Sequence, residues 1–159
     1  MIAVSDTSPI CYLVLIGEVE LLPKVFSTVL VPEAVLAELR NRDAPTLVRT
    51  WAANPPVWVT PKVASESLAI PKLQEGERQA IQIARDFAAD FVLLDERAAR
   101  KAAKSLGIRA TGTLGFLGEA ALRGLVDLPN ALDRLTQTSF RYTPALLKTV
   151  LQGTGTSFE

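Results

Sequence analysis

Four carboxylates are the side chains of this sequence best placed for chemistry, and the residues missing around them narrow what that chemistry is. Asp6 ends the apolar run Ile2-Ala3-Val4-Ser5, and Asp95 ends Phe91-Val92-Leu93-Leu94. Glu38 lies in Val35-Leu36-Ala37-Glu38-Leu39, and Glu77 opens Gly76-Glu77-Arg78-Gln79-Ala80-Ile81-Gln82-Ile83-Ala84. A carboxylate directly after a buried strand marks the carboxyl edge of a sheet, where open α/β folds keep their sites. The chain contains no histidine, so imidazole can serve neither as general base nor as metal ligand. What remains is oxygen-ligand chemistry, in which carboxylates hold a hard divalent cation such as Mg²⁺ or Mn²⁺.

Each acid also has a plainer reading. Asp6 and Asp95 follow strands that read as buried, where a free carboxylate is costly unless paired or bound to metal; both could equally be helix N-caps. Glu77 begins a helix, where an acid suits the dipole, with Glu75 as a satellite. Glu38 lies beside the buried face formed by Leu36 and Leu39, yet could turn outward to solvent. Crowded together, four carboxylates repel one another and resist ionisation. A divalent cation removes that penalty, and can lower the pKa of a bound water and stabilise charge in a phosphodiester displacement. Just beyond Asp95, Arg97, Arg100, Lys101 and Lys104 recur at helical spacing. They make one positive stripe against which a phosphate backbone could lie, or else a solvated helix face. Aromatic residues are only 6% of the chain, so no base-stacking platform is evident.

The elements that must position these groups alternate strand and helix. Strands are expected at 2–5, 26–31, 57–60, 91–94 and 108–111. Helices are expected at 10–16, 18–22, 33–40, 45–53, 75–89, 97–104, 113–123, 128–136 and 144–151. Ala80, Ile81, Ala84, Phe87 and Ala88 should form the apolar face of the clearest helix. Residues 61–71 read as a surface loop, and 153–159 as a frayed, flexible tail. Right-handed crossovers would turn this order into a mostly parallel sheet covered on both faces. The expectation is one α/β domain over 1–152, a three-layer sandwich with its core at about 1–125 and a small helical C-terminal appendage at 128–151.

Composition sets the remaining bounds. A chain of 159 residues, 48% of them apolar, can bury a real core. No apolar run approaches the ~20 residues of a membrane span, and nothing resembles a signal peptide, so a cytoplasmic location is expected. Lys and Arg together number 17 and so do Asp and Glu; any affinity for nucleic acid must come from local arrangement of charge. The single cysteine, Cys11, rules out an internal disulfide or a cysteine zinc site and reads as a buried thiol.

Taken in order, Val4-Ser5-Asp6-Thr7-Ser8-Pro9-Ile10, Val31-Pro32-Glu33-Ala34-Val35-Leu36-Ala37-Glu38-Leu39, Gln74-Glu75-Gly76-Glu77-Arg78-Gln79-Ala80-Ile81 and Leu93-Leu94-Asp95-Glu96-Arg97-Ala98-Ala99-Arg100 resemble the PIN domain. The likeness is strongest to the prokaryotic DUF3368 subfamily related to the VapC toxins. It extends over nearly the whole chain, through Thr111-Gly112-Thr113-Leu114-Gly115-Phe116-Leu117. The resemblance implies a Mg²⁺- or Mn²⁺-dependent ribonuclease, often the toxic half of a toxin–antitoxin pair, that leaves a 3′-hydroxyl and a 5′-phosphate. By motif match Asp6, Glu38, Glu77 and Asp95 are the family's catalytic, metal-holding acids, and Glu96 is a possible fifth. Thr7 and Thr113 fall where the family places supporting hydroxyls. Typical VapC toxins carry a more Asp-rich segment after the last of these strands; here Asp95-Glu96 leads into a basic helix.

Two other functions compete. A phosphatase of the haloacid-dehalogenase type also has an Asp after its first strand, but needs a second Asp two residues on, where this chain has Ser8. A non-catalytic PIN fold could instead bind RNA or a partner protein. The expected partners are an RNA substrate, a small antitoxin and a second copy of the chain. Residues 11–16, 114–117 and 146–151 are apolar enough to suggest an exposed interface, and the resemblance adds that an antitoxin Arg or Lys reaches Asp6 and Asp95.

Overall fold

Strands buried on both faces must be apolar at nearly every position, and the short runs around Asp6 and Asp95 obey this. The computed structural model describes residues 1–66 and 68–153. Its five strands are β1 (Ile2–Ser5), β2 (Thr28–Pro32), β3 (Val59–Lys62), β4 (Phe91–Leu93) and β5 (Ala110–Thr111). They form one parallel sheet in the order β3-β2-β1-β4-β5. The helices are α1 (Thr7–Leu15), α2 (Leu21–Val25), α3 (Glu33–Leu39), α4 (Thr46–Ala53) and α5 (Glu75–Asp86), followed by α6 (Arg97–Ser105), α7 (Thr113–Leu122), α8 (Leu128–Thr136) and α9 (Pro144–Leu151). This is the α/β sandwich expected, with a sheet that is wholly parallel.

Alternation along the strands divides the interior in two. Ala3, Val29, Val31, Phe91 and Leu93 face one hydrophobic cluster, built with α1 to α4 and α7 to α9. Val4, Leu30, Val92 and Leu94 face the other, built with α5 and α6. In the first cluster Phe26 stacks on Phe116 at 5.8 Å between ring centroids and tilts against Phe91 at 6.2 Å. The C-terminal helices are packed into this cluster through Ala131, Leu132, Leu135 and Val150. Arg134 ties α8 to the end of α1, donating to the Ile16 carbonyl and, at 2.8 Å, to Glu18.

Several expected boundaries shift for local reasons. The helix read at 18–22 forms at Leu21–Val25, with Pro23 inside its first turn, where a missing N–H costs nothing. The second strand runs Thr28–Pro32 rather than 26–31, and the third Val59–Lys62 rather than 57–60, leaving Val57 fully exposed. The fifth is reduced to Ala110–Thr111. The central helix stops at Asp86 because Ala88 turns left-handed (φ 49°) and Ala89 N–H reaches back to the Ala84 carbonyl at 2.9 Å. Phe87 and Ala88 therefore leave the apolar face assigned to them, and Phe87 is 41% exposed. Leu114, Phe116 and Leu117 lie in the core and take no part in an exposed patch. Beyond Lys62 the segment to Pro71 has no regular element among the described residues. The tail expected at 153–159 falls, after Gly153, outside the described residues.

Because α8 belongs to the main core, Leu135→Ala is expected to cost about 2–5 kcal/mol. Thermal unfolding followed by circular dichroism should show a drop of roughly 5–15 °C. A loosely attached α8 would leave the midpoint unchanged.

Candidate active site

The strand order puts β1 beside β4 at the centre of the sheet, with Ser5 opposite Leu93. The chains leave the sheet together: Asp6 N–H donates to the Leu93 carbonyl at 3.1 Å, and Leu94 N–H to the Thr111 carbonyl at 2.8 Å. Asp6 and Asp95 thus emerge at the same carboxyl edge.

Asp6 occupies the N-cap position of α1, but its side chain makes no capping hydrogen bond. The plain helix-cap reading of this residue is set aside on that geometry. The carboxylate is only 7% exposed. Burial raises its pKa from 3.8 to about 7, helped by the charges of Glu77, Glu38 and Asp95 and opposed by the Thr7 N–H. Asp6 thus feels the charge of the other three acids.

Gly76 explains how two of them come so close. A Cβ on Gly76 would sit 3.0 Å from Asp6 Oδ1 and 3.1 Å from Glu38 Oε1. The two oxygens can therefore be no more than about 6 Å apart, and any side chain at position 76 would press between them. Glu38 extends from α3, is exposed, and is held by Thr7, whose Oγ1 donates to its Oε2 at 2.7 Å. The possibility that Glu38 simply turns away from the cleft is answered by this bond.

Glu77 is 4% exposed. It sits at the third position of α5, and its Oε1 accepts the Gln74 N–H at 2.9 Å, so the residue that charges the cleft also closes the helix end. Burial raises its pKa, with Glu96 and Glu38 adding to the rise against the opposing Gln74 N–H. Asp95 is held by Thr113 at both oxygens: the N–H donates to Oδ1 at 2.7 Å and the hydroxyl to Oδ2 at 2.9 Å. Even so, burial keeps its pKa above the usual carboxylate range, with Glu96 adding to the rise. Glu96 is exposed on the rim of the same cleft.

The predicted basic stripe is divided. Arg97, Lys101 and Lys104 are exposed on α6. Arg100 is half-buried, and its Nη1 donates to the carbonyls of Leu94 at 2.9 Å and Asp95 at 2.6 Å. It braces the end of β4, while Gly112 leaves space for it: a Cβ there would meet Asp95 Oδ1 at 2.9 Å and Arg100 Nη1 at 3.3 Å.

Sequence reasoning passed over Gly76 and Gly112. Gly76 carried a signal, since a glycine in the first turn of a strongly patterned helix sacrifices helical propensity and asks for a reason. Gly112 carried none beyond its place between a strand and a helix.

The donor set suits a hard divalent cation. All its ligand atoms are oxygens, Asp6 and Glu77 are buried, and among the described residues no salt bridge neutralises Asp6 or Glu38 on either side of Gly76. Among the described residues, no three acids, cysteines or histidines already form a closed cage. The close approach is pairwise, Asp6 with Glu38, and the rest of the cleft is open. Two hollows flank it. One, of about 360 Å³, is lined by Thr7, Cys11, Glu38, the α3–α4 connection and Val48 of α4. The other, of about 1080 Å³, runs from Asp95 and Glu96 to the C-terminal segment.

The sequence matches the PIN-domain family DUF3368 over residues 2–156. The chain belongs to that family. A PilT N-terminus domain protein from the hyperthermophilic archaeon Sulfolobus solfataricus P2 has a similar fold, with a TM-score of 0.52 at 13% identity. The similarity covers 90% of this chain and all of that one. No curated protein matches. PIN domains are generally nucleases, and this PIN domain keeps an acid at each of the four positions on which the sequence resemblance rests. Among the described residues no helix is long and apolar enough to cross a membrane.

The charge held in the cleft predicts an unusual pH dependence. Asp6 binds its proton more tightly folded (about 7) than at the ordinary value of 3.8. Its contribution to stability is therefore complete below about pH 4 and is lost as pH rises through 7. At about 1.4 kcal/mol per decade of proton affinity, the loss reaches about 4 kcal/mol at most. In chelator at pH 8, Asp6→Asn should melt several degrees above the parent, and below pH 4 the two should coincide. A variant that melts lower at pH 8 would mean that the parent carboxylate is stabilised by a partner.

Gly76→Ala should leave the fold intact while placing a methyl group against Asp6 and Glu38. The expected result is Mn²⁺ affinity at least tenfold weaker by calorimetry, with a melting point in chelator within a few degrees of the parent. Unchanged affinity would remove this approach from the site.

Proposed function

We propose that this PIN domain is a Mg²⁺- or Mn²⁺-dependent endoribonuclease. The observation carrying the reading is the buried Asp6 carboxylate, uncapped and pressed against Glu38 across Gly76, at the edge where Asp95 also emerges. Asp6, Glu38, Glu77 and Asp95 would hold the cation, with Glu96 on the rim. When bound, the ion supplies a water of lowered pKa and a counter-charge for the developing phosphorane.

The chain's own residues do the positioning. Thr113 fixes the plane of Asp95, Thr7 limits the swing of Glu38, and the Gln74 N–H orients Glu77. Pre-set ligands lose little freedom when substrate arrives, which favours reaction over mere binding. Asp6, whose proton affinity lies near neutrality without a cation, exchanges that proton for the ion. Arg97, Lys101 and Lys104 offer exposed positive charge beside Asp95 for the backbone of the RNA. Attack of water on phosphorus with departure of the 3′-oxygen gives the 3′-hydroxyl and 5′-phosphate typical of such nucleases.

The same reading extends to biology. We take the chain to be the toxin of a toxin–antitoxin pair in the cytoplasm, restrained by a small protein whose Arg or Lys side chain meets Asp6 and Asp95. Leu146 and Leu151 on α9 are 44% and 50% exposed and Leu122 on α7 is 68% exposed. They offer the apolar contact for a homodimer, in place of the 114–117 segment that the core absorbs.

Asp6→Asn should lower Mn²⁺-stimulated cleavage of single-stranded RNA at least a hundredfold while circular dichroism stays unchanged. Cleavage at the parental rate would take Asp6 out of the mechanism. Cleavage by the parent that is indifferent to chelator would remove the cation.

A further inference from the structure

Arg100 has the sequence setting of a surface residue and the contacts of a structural one. It recurs with Arg97, Lys101 and Lys104 at helical spacing on α6, and those three are exposed. Arg100 is the half-buried member of the stripe. Its Nη1 donates to two main-chain carbonyls, Leu94 at 2.9 Å and Asp95 at 2.6 Å. Hydrogen bonds from an ionised donor are about twice as strong as neutral ones. The chain leaving β4 is therefore tied firmly to α6 at the residue that carries the Asp95 carboxylate.

The guanidinium lies close to that carboxylate without pairing with it. A Cβ on Gly112 would stand 2.9 Å from Asp95 Oδ1 and 3.3 Å from Arg100 Nη1, so the two atoms are no more than about 6 Å apart. Among the described residues no salt bridge joins them. Thr113 holds both carboxylate oxygens instead, with its N–H on Oδ1 and its hydroxyl on Oδ2. The Arg100 charge is still felt at Asp95, where it opposes the rise in pKa that burial causes. A direct pair of arginine and carboxylate is strong and often bidentate, and would occupy the oxygens that a cation needs. By donating to carbonyls, Arg100 supplies fixed positive charge and leaves the carboxylate without a cationic partner. Gly112 is a condition of this arrangement. A methyl group there would displace Asp95 Oδ1 and crowd both Arg100 Nη1 and the Leu94 carbonyl, itself 3.3 Å from that Cβ position.

We infer that Arg100 is a positioning residue of the acidic site. It fixes the main chain at Leu94 and Asp95 so that the Asp95 carboxylate meets Thr113, and Gly112 provides the space in which the three groups converge. Arg100 acts through Asp95 rather than on the reacting groups. The positioning stands on the hydrogen-bond geometry; its consequence for a cation rests on the metal-dependent reading above.

Amide hydrogen exchange followed by NMR in chelator tests the positioning, and calorimetry with Mn²⁺ tests the consequence. Arg100→Met keeps an aliphatic stem and loses the charge. Its Thr113 N–H should exchange at least tenfold faster than in the parent, and the Val4 N–H of the central strand less than threefold faster. Mn²⁺ affinity should fall at least tenfold, and Arg100→Lys, which lacks the planar fork, should recover only part of either loss. In Asp95→Ala, where the acceptor is gone, adding Arg100→Met should change Thr113 exchange less than twofold. Lys24→Met, which removes an exposed positive charge from α2, should alter both readouts less than twofold. If Arg100→Met also frees Val4, Gly112→Ala reads the same convergence from the other side: Thr113 exchange should again rise tenfold, with Val4 protected. The inference is overturned if Thr113 keeps its protection in these variants, or if Arg100→Met acts equally in the Asp95→Ala background. Parental Mn²⁺ affinity in Arg100→Met would overturn it too, while keeping the cation. A parent that binds no Mn²⁺, but whose Thr113 protection depends on Arg100, would retain the positioning and remove the cation.

Discussion

A buried carboxylate with other negative charges near it is the constraint on which this molecule turns. A lone carboxylate at the end of a central strand can be paired, capped or left to solvent, but Asp6 is sheltered, uncapped, faces Glu38 across Gly76 and feels the charges of Glu77 and Asp95. Other parts of the site serve to maintain that arrangement. Thr113 holds Asp95, Thr7 holds Glu38, Arg100 braces the strand end from below, and two positions are glycine because a methyl group would intrude. The repulsion is tolerated because two well-filled hydrophobic layers support the strands that deliver the acids. Stability made in the core is thus partly given back at the edge of the sheet, the usual relation between a rigid scaffold and a strained site.

The topology decides which acids meet. With β1 in the middle and β4 beside it, Asp6 and Asp95 lie side by side, although 89 positions separate them. Helices α3 and α5 then bring Glu38 and Glu77 over the same edge from opposite layers of the sandwich. The site therefore draws on both faces of the sheet at once, and neither layer could be shed without opening the cleft. The C-terminal helices also belong to the working structure, since Arg134 fastens α8 to the end of α1 and the following turn lines the larger hollow.

Much of this was legible in the residues. Continuous apolar runs such as Ala3-Val4 and Val92-Leu93 can only be central strands, and the acids directly after them had to lie at the sheet's edge. What pattern could not supply was proximity across the fold. Glu38 reads identically whether it faces solvent or the cleft, and the Thr7 hydroxyl decides the matter. Arg100 shares a helical stripe with Lys101 and Lys104, yet two backbone carbonyls draw it inward. Apolar stretches mislead in the same way: Leu114–Leu117 looks like an interface until Phe26 and Phe116 are seen stacked in the interior. Boundaries moved where one residue adopted a conformation its type disfavours, as at Ala88. Sparse aromatics concealed Tyr12 and Phe140, whose pairing depends wholly on the path of the chain.

Glu77 joins two obligations in one side chain, because its Oε1 both closes the first turn of α5 and contributes charge to the cleft. Glutamine satisfies the first as well as glutamate does, since a capping box accepts either. It abolishes the second and relieves a buried repulsion as it does so. The fold by itself therefore asks for no acid at position 77, only for a side chain that can accept the Gln74 N–H.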